Sequence, residues 1–168
     1  MSQTNEFRLR EVNILEDSPF FFTVRNDSSL QRLLLSNRES SSEAEVSDWL
    51  SFQTTDENTI FRVIEDSNIR TAVGYLQLKK ISFSSNFQLG ICCGSGFRGK
   101  GAGRKALKDS FDLLKMVNAN KVLLEVNKEN YKAISLYASE GFRIVGELLR
   151  HICIRGKFID VVIMEKLI

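Results

Sequence analysis

The sequence has little of what marks a secreted, metal-binding or membrane protein. Its 168 residues include one proline, one histidine and three cysteines, two of them adjacent. Three cysteines do not make a disulfide framework, and one histidine without a Cys-x-x-Cys pair argues against a zinc site. No window approaches the 18 apolar residues of a membrane span, and the first six residues show no apolar signal segment. We therefore expect a cytoplasmic protein with no membrane partner and no metal.

The sequence also lacks a strong charge of either sign. Its 23 Lys and Arg residues nearly balance 21 Asp and Glu residues, for a net charge of +2. Such a small excess does not favour a nucleic-acid partner, so the cations matter only where they cluster. With 43% hydrophobic residues, twelve Phe, no internal repeat and no linker, the chain is not disordered. We expect one domain over residues 1–168.

The most informative segment is a loop rich in glycine and cations, residues 94–104. Before it, residues 87–93 are apolar like a strand, and after it apolar residues recur every three or four positions, as in an amphipathic helix. The first amides of a helix and its dipole favour an anion, and glycines let that anion approach the backbone. The segment therefore predicts a phosphate-binding loop.

Read as Gly94-x-Gly96-x-x-Gly99, the loop fits the dinucleotide fingerprint. The next strand even carries an acid, Glu125, that could meet a ribose. That fold, however, needs its glycines after the first strand, whereas a long segment that reads as several strands precedes this loop.

Read as Gly94-x-x-x-x-Gly99-Lys100, the same loop nearly fits a P-loop. Gly101 stands where a Ser or Thr hydroxyl would hold magnesium, so the fit is incomplete. A nucleotide-binding module that takes NAD or ATP stays open as an alternative of another class.

A third pattern, Arg98-x-x-Gly101-x-Gly103, resembles the acetyl-CoA pyrophosphate loop of the GNAT N-acetyltransferase family. After the next strand, that family places an Asn, an Ala three residues on, a Tyr four further on and then a Gly-Phe pair. This chain reads Asn130-Tyr131-Lys132-Ala133-Ile134-Ser135-Leu136-Tyr137-Ala138-Ser139-Glu140-Gly141-Phe142. The resemblance covers residues 59–168 well, while the first 58 residues fit by length and pattern.

The order of predicted elements agrees with this family. A capping box at Ser42-Glu43-Ala44-Glu45 starts a helix, and three successive strands after it read as an antiparallel meander. The predicted strands are 7–12, 59–64, 72–78, 87–93, 121–126, 142–149 and 158–165, and the helices are 28–35, one from 43, 102–117 and one from about 130. The resemblance implies an α/β (α+β) acyl-CoA N-acyltransferase fold, with a mixed, mostly antiparallel central sheet flanked by helices on both faces.

The resemblance also implies acetyl-CoA as co-substrate and gives it a binding site. Backbone groups of Ile91, Cys92 and Cys93 would pair with the pantetheine like an added strand, and an N–H there would stabilise an oxyanion. Asn130 would touch the extended cofactor, and Lys132 would reach its phosphates. The pyrophosphate would be held by Arg98, Gly99, Lys100, Gly101, Ala102, Gly103 and Arg104.

Two residues carry the implied catalysis. The Tyr137 hydroxyl would protonate the leaving CoA thiolate, and it lies seven residues, or about 10 Å, from Asn130 along one helix face. Glu125 matches a glutamate that serves as general base in some members. Gln88 stands where many members carry an acid, and Gln cannot be a base. A CoA-binding protein without turnover therefore stays open beside the enzyme.

Other reactive side chains have plainer interpretations. His151 is expected to be an ordinary strand or turn histidine, because no acid evidently orients it as a base. Cys92 and Cys93 are expected to pack in a strand rather than to act as nucleophiles. The run Phe20-Phe21-Phe22 is expected in the core or at an interface.

The expected reaction is direct transfer of an acetyl group to a primary amine of a small molecule, without an acetyl-enzyme. Residues 150–164 look like the end of the branch that contains amino-sugar-nucleotide, spermidine and ribosomal-protein acetyltransferases. Residues 25–27 and 47–50 favour a nucleotide-linked amino sugar over a polyamine or a ribosomal protein. A sugar nucleotide needs cations, whereas a polyamine needs an acidic pocket. The available cations are Arg25, Arg32, Arg38, Arg150 and Arg155. Exposed sheet edges in such small domains often pair, which allows a homodimer.

Overall fold

A computed structural model describes residues 6–38 and 40–168; residues 1–5, which include most of the segment inspected for a signal, and residue 39 lie outside it. Seven strands form one sheet in the order β1-β2-β3-β4-β5-β7-β6. The strands are β1 Phe7–Arg10, β2 Thr59–Asp66, β3 Thr71–Lys80, β4 Asn86–Cys93, β5 Lys121–Asn127, β6 Arg143–Ile154 and β7 Lys157–Leu167. The helices are α1 Ile14–Asn26, α2 Ser28–Leu33, α3 Glu43–Thr55, α4 Ala102–Met116 and α5 Tyr131–Ser139.

The strands pair antiparallel everywhere except between β4 and β5, which run parallel. Strands β2, β3 and β4 form the predicted meander, since tight turns join them in sequence order. The parallel pair arises because α4 crosses the sheet between β4 and β5. The predicted mixed, mostly antiparallel sheet is confirmed.

Helices cover both faces of the sheet. On one face, α4 and α5 bury an apolar core with Leu76, Leu107 and Val122 near its centre. On the other face, α1 and α3 pack on the sheet through Phe21 and Leu50. Ridges of apolar side chains at helical spacing thus meet alternate residues of the strands from both sides. Among the described residues, no helix is both long enough and apolar enough to cross a membrane.

The first helix, α1, is the main departure from the sequence prediction. The sequence predicted two helices before β2, whereas the structure has three, because α1 was hidden by Pro19 and by a weak apolar period. Asn13 caps the helix by accepting from the Glu16 N–H. Phe21 is fully buried, which confirms the expected core position for the phenylalanine run, while Phe22 is exposed.

An ionic cluster fixes α1 to the edge of the sheet. The Arg10 guanidinium on β1 donates to both carboxylate oxygens of Asp17 on α1, at 2.8 and 2.7 Å. It also donates to Glu65 on β2 at 2.5 Å, and Arg8 donates to the same carboxylate. Burial alone would raise the pKa of Glu65, but the bonds from Arg10 and Arg8 hold it below its usual value. Because Asp17 and Glu65 are buried and paired, the start of α1 has one fixed position.

Candidate active site

The central feature of the candidate site is the point where β4 and β5 separate. The two strands pair only between residues 86–88 and 121–123. Beyond Gln88, β4 continues along β3 up to Cys93, and beyond Leu123, β5 continues along β7 up to Asn127. A wedge-shaped gap, which we call the cleft, therefore opens between the two strands toward their carboxyl ends.

One edge of the cleft is a strand edge without a partner strand. The Gly94 N–H donates to the Val73 carbonyl on β3 at 2.9 Å. Because residues of an antiparallel ladder alternate, Cys92 also pairs with β3, while the backbone groups of Ile91 and Cys93 point away from β3 into the cleft. This arrangement narrows the expected pantetheine contact from three backbone positions to two.

The glycine loop follows directly from this edge. After a short 3-10 turn at Ser95–Phe97, Gly99 and Gly101 adopt φ values of +75° and +94°, which side chains rarely tolerate. Gly101 precedes α4, and no side chain caps that helix. A Cβ atom at Gly99 or Gly101 would meet nothing within 4 Å. The loop therefore offers open space, uncapped amides and a helix dipole, which fit a pyrophosphate.

The cations near the loop differ in whether a carboxylate already pairs with them. Arg98 is exposed, forms no ion pair with a described residue, and donates to the Cys93 carbonyl at 3.4 Å. The Lys100 ammonium lies 5.2 Å from the Phe97 ring centre, and Lys132 is exposed on α5. Arg104 instead forms an ion pair with Glu140, which follows α5. Arg98, Lys100 and Lys132 are thus available to phosphates, whereas Arg104 would have to leave its carboxylate.

Tyr137 reaches the cleft from α5. It is 9% exposed, its ring packs on Phe142 at 5.6 Å, and its hydroxyl has no hydrogen-bond partner among the described residues. Burial, reinforced by the neighbouring Cys93 and Cys92 thiols, raises the pKa of Tyr137 to about 12. The hydroxyl is therefore protonated at neutral pH and available as a proton donor.

Asn130 starts the same helix. Its side-chain oxygen accepts from the Ala133 N–H at 3.3 Å and so caps α5. Capping fixes the side chain and leaves its amide NH₂ to donate elsewhere. Asn130 thus lies immediately before the helix that carries Tyr137, at the same end of the sheet as the cleft.

Glu125 borders the cleft from β5. It is exposed and forms neither a hydrogen bond nor an ion pair with any described residue. Because side chains alternate along a strand, Glu125 lies on the face opposite the buried Leu124, toward α1 and α2. Gln88, at the last paired position of β4, lies on that same face. The structure therefore places one free carboxylate at the cleft, on the side opposite α5.

The two adjacent thiols are poorly suited to nucleophilic attack. Burial raises the pKa of Cys92 to about 12 and that of Cys93 to about 11, so both are protonated at neutral pH. The backbone of Gly103, at the start of α4, offsets the rise for Cys93 in part. His151 is exposed on β6. These positions agree with packing roles for both cysteines.

A cavity of about 270 Å³ lies on the α1 side of the sheet, and its lining includes Arg25, Arg38 and Arg155. Of the five arginines considered for an anionic acceptor, Arg32 forms an ion pair with Glu129. Arg150 lies over the Phe158 ring at 4.4 Å. Sequence alone could not show which of the five would come together.

Comparisons with known proteins give the site a context. The sequence model described as an acetyltransferase (GNAT) domain matches residues 6–143. A spermidine N(1)-acetyltransferase of Escherichia coli (strain K12) is 28% identical over 162 residues, which cover 94% of this chain and 84% of that protein. The spermidine N(1)-acetyltransferase of Vibrio cholerae is 35% identical over 106 residues, or 59% of this chain and 58% of that protein.

Solved structures share the fold. The spermidine N-acetyltransferase from Vibrio cholerae, in complex with CoA and spermine, superimposes with a TM-score of 0.87 at 24% identity, covering 96% of this chain and 95% of that one. The ribosomal-protein-alanine N-acetyltransferase from Brucella melitensis has a TM-score of 0.82 at 21% identity, covering 96% and 99%. Both likenesses are to the fold and cover nearly the whole chain.

We predict that Gly101→Glu abolishes the stabilisation of the protein by acetyl-CoA. A carboxylate at this position would repel phosphates, and the positive φ of Gly101 would strain any side chain. For the unchanged protein, acetyl-CoA at 100 times its Kd should add about 2.7 kcal/mol of stability, seen as a rise in Tm. Gly96→Glu is the matched control, because a Cβ at Gly96 meets nothing within 4 Å and its φ is ordinary.

The same Tm measurement with NAD and with MgATP tests the other two interpretations of the loop. A rise with NAD or MgATP, and none with acetyl-CoA, would contradict the acetyl-CoA assignment. If Gly96→Glu but not Gly101→Glu loses the acetyl-CoA effect, the phosphate contacts lie at the glycines of the dinucleotide pattern and not at those of the acetyl-CoA pattern.

Proposed function

Because the chain belongs to the GNAT acetyltransferase family and is an acetyl-CoA-dependent N-acetyltransferase, we propose that it passes the acetyl group directly to a primary amine inside the cleft. The observation that carries this proposal is the opening between β4 and β5, where the end of β4 has no partner strand and the protonated Tyr137 hydroxyl lies near Cys92 and Cys93 of that edge. Such an opening admits an extended pantetheine as a strand substitute.

The proposed roles of the residues follow from their positions. Acetyl-CoA, when bound, supplies a thioester whose carbonyl carbon an amine can attack. The N–H groups of Ile91 and Cys93 face the cleft and would donate to the carbonyl oxygen as it gains negative charge. Tyr137 would give its proton to the departing sulfur. Since both neighbouring thiols are protonated, we propose no acetyl-enzyme.

Glu125 is our proposed general base. An ammonium ion cannot attack a carbonyl, so a group near the cleft must take its proton. Glu125 is the carboxylate that faces the cleft from β5 without a partner, and its exposure connects it to water. Gln88 cannot fill this role because an amide does not accept a proton at neutral pH.

The comparisons favour a polyamine as the acceptor, which we propose as the first candidate. The relatives that align along the chain are named spermidine N(1)-acetyltransferases. Nothing in the comparisons supports the nucleotide-linked amino sugar that the sequence was expected to favour. An amine that carries an anionic group remains the second candidate, because three arginines line the cavity on the acceptor side. The likeness to a ribosomal-protein-alanine N-acetyltransferase shows the fold alone and gives the ribosomal-protein alternative no further support.

We predict that Tyr137→Phe lowers kcat roughly 100-fold, because the leaving thiolate loses its proton donor. The KM for acetyl-CoA should change little, since the ring keeps its packing on Phe142. Tyr131→Phe is the matched control: Tyr131 lies on the same helix but is exposed. Release of CoA is the measurement. Unchanged turnover in Tyr137→Phe would remove the assigned role.

We predict that Glu125→Gln lowers kcat/KM roughly 10- to 100-fold at pH 7, and that this defect shrinks toward pH 10. The base is needed only while the amine is protonated, so a largely deprotonated amine makes Glu125 dispensable. Glu57→Gln, at an exposed turn residue, is the control. In the unchanged enzyme, the alkaline side should show no fall in rate below about pH 11, because the pKa of Tyr137 is about 12. A defect of equal size at all pH values would contradict the role of Glu125.

We predict that spermidine is acetylated in a panel that also contains an amino-sugar nucleotide and a peptide with an N-terminal alanine. CoA release and the mass of the product identify the acceptor. Acetylation of the amino-sugar nucleotide alone would overturn the polyamine assignment but would agree with the assignment as an N-acetyltransferase. Binding of acetyl-CoA without turnover on any amine would instead support a cofactor-binding protein without catalysis.

A further inference from the structure

We propose that the cavity lined by Arg25, Arg38 and Arg155, hereafter the arginine cavity, is a binding site for a phosphate or diphosphate group. It lies between α1, the segment after α2 and the tip of the β6–β7 hairpin, and measures about 270 Å³. Three serine hydroxyls, from Ser28, Ser40 and Ser41, complete a lining suited to phosphate oxygens. Among the described lining residues there is no carboxylate.

Arg25 provides the central observation. It is 8% exposed, and its Nε and Nη2 atoms have no hydrogen-bond partner. Buried charges in proteins are normally paired, as Asp17 and Glu65 are here. Two unsatisfied donors of a buried guanidinium therefore call for an acceptor that is not part of the described chain.

The surroundings of Arg25 stabilise the cation only in part. Its guanidinium lies 4.3 Å from the Trp49 ring centre, a favourable cation–π contact. Burial and the nearby Arg38 nevertheless lower the pKa of Arg25, and the neighbouring Tyr75 and Glu45 offset this only in part. A bound anion between Arg25 and Arg38 would remove this repulsion and satisfy both donors.

Arg155 lies at the cavity because it stands in the tight turn between β6 and β7. It has a φ of +49°, followed by Gly156 at +78°. Two such residues in a two-residue loop form the turn that best joins twisted antiparallel strands. The backbone N–H of Arg155 donates to the side-chain oxygen of Asn37 at 3.1 Å, which ties the hairpin tip to the segment after α2. The backbone of Arg155 is thereby fixed beside the cavity, although it comes from the far end of the chain.

The three arginines of the cavity differ from the neighbouring cations because they form no ion pair with a described residue. A second cavity, of about 230 Å³, adjoins the first; Arg38 and Arg155 line both cavities, and the second is lined in addition by Arg32 and Lys157. Both of these lie against Glu129, at 4.0 Å for Lys157, so their charge is largely balanced. Glu45 acts electrostatically on Arg25 and Arg38 but bonds to Ser42, so no ion pair with a described residue balances the charge of the three arginines.

The arginine cavity is separate from the glycine loop. The loop leads into α4 on one face of the sheet, whereas Arg25 belongs to α1 on the other face, beside Trp49 and Tyr75. The same enzyme would thus hold two anionic groups at once, one from acetyl-CoA and one in the arginine cavity. The second group belongs either to the amine acceptor or to a free anion, and the two sources are separable by experiment.

The test is the binding of inorganic pyrophosphate to the complete protein while the glycine loop is saturated with CoA. Isothermal titration should show one site, with Kd raised at least 10-fold in Arg25→Gln and in Arg155→Asn. Asn suits the left-handed turn, so Arg155→Asn preserves the fold even if Arg25→Gln does not. Arg150→Gln is the control and should leave Kd unchanged, because Arg150 is exposed on the same hairpin, away from the cavity.

The outcomes are distinct. Binding of pyrophosphate only in the absence of CoA, or a Kd that none of the cavity variants changes, would overturn the proposal. If the active acceptor carries an anionic group, inhibition by pyrophosphate that is competitive with that acceptor assigns the cavity to the acceptor's own anionic group. Inhibition or activation that is not competitive with the amine assigns it to a free anion. The titration does not require turnover, so it tests the arginine cavity even if the protein transfers no acetyl group to an amine.

Discussion

The separation of β4 from β5 is the constraint on which the rest of the site depends. Two parallel strands that part after three residue pairs leave a row of backbone donors and acceptors without a partner strand. Such groups must bond to water or to a ligand. The strand edge at Ile91 and Cys93, the loop that continues it and the helix that carries Tyr137 all converge on this opening. Had the parallel pairing continued to the strand ends, none of them would border a space.

The two faces of the sheet serve the opening in different ways. On the α4 face, glycines with free space around them and amides without a side-chain cap present partial positive charge from the backbone. This charge suits the phosphates of acetyl-CoA, which every reaction cycle uses. On the α1 face, the charge comes from side chains, which change easily without disturbing the fold. Substitutions on the α1 face can therefore alter the charge there and leave the backbone of the glycine loop unchanged.

Local signals in the sequence were enough to predict much of the architecture. The capping box at Ser42 and Glu45 forms as expected, with both reciprocal bonds, and Asp27 caps α2. The meander, the glycine loop and the helix after Asn130 also follow from neighbouring residues. Each of these depends on contacts within a few positions, which a sequence shows directly.

What could not be predicted depends on residues distant in sequence. Helix α1 contains a proline and has little amphipathic period, so its fixed position comes from Arg10 and Glu65 on the strands. The pairing of Arg104 with Glu140 and the contact of Arg155 with Asn37 are equally non-local. The cations proposed for an acceptor depend on such contacts, whereas the glycine loop could be predicted from residues that are neighbours in the sequence.

The short parallel pair also divides the sheet mechanically. Strands β1 to β4 form one hydrogen-bonded unit and β5 to β7 another. Three residue pairs join them, flanked by the bond from the Asn120 N–H to the Ser85 carbonyl, and the apolar face of α4 packs across the junction. A molecule lying in the opening and bonded to both edges would act as an eighth strand. The substrate would then be part of the cooperative structure, and the two halves would gain or lose their rigid connection with each round of binding and release.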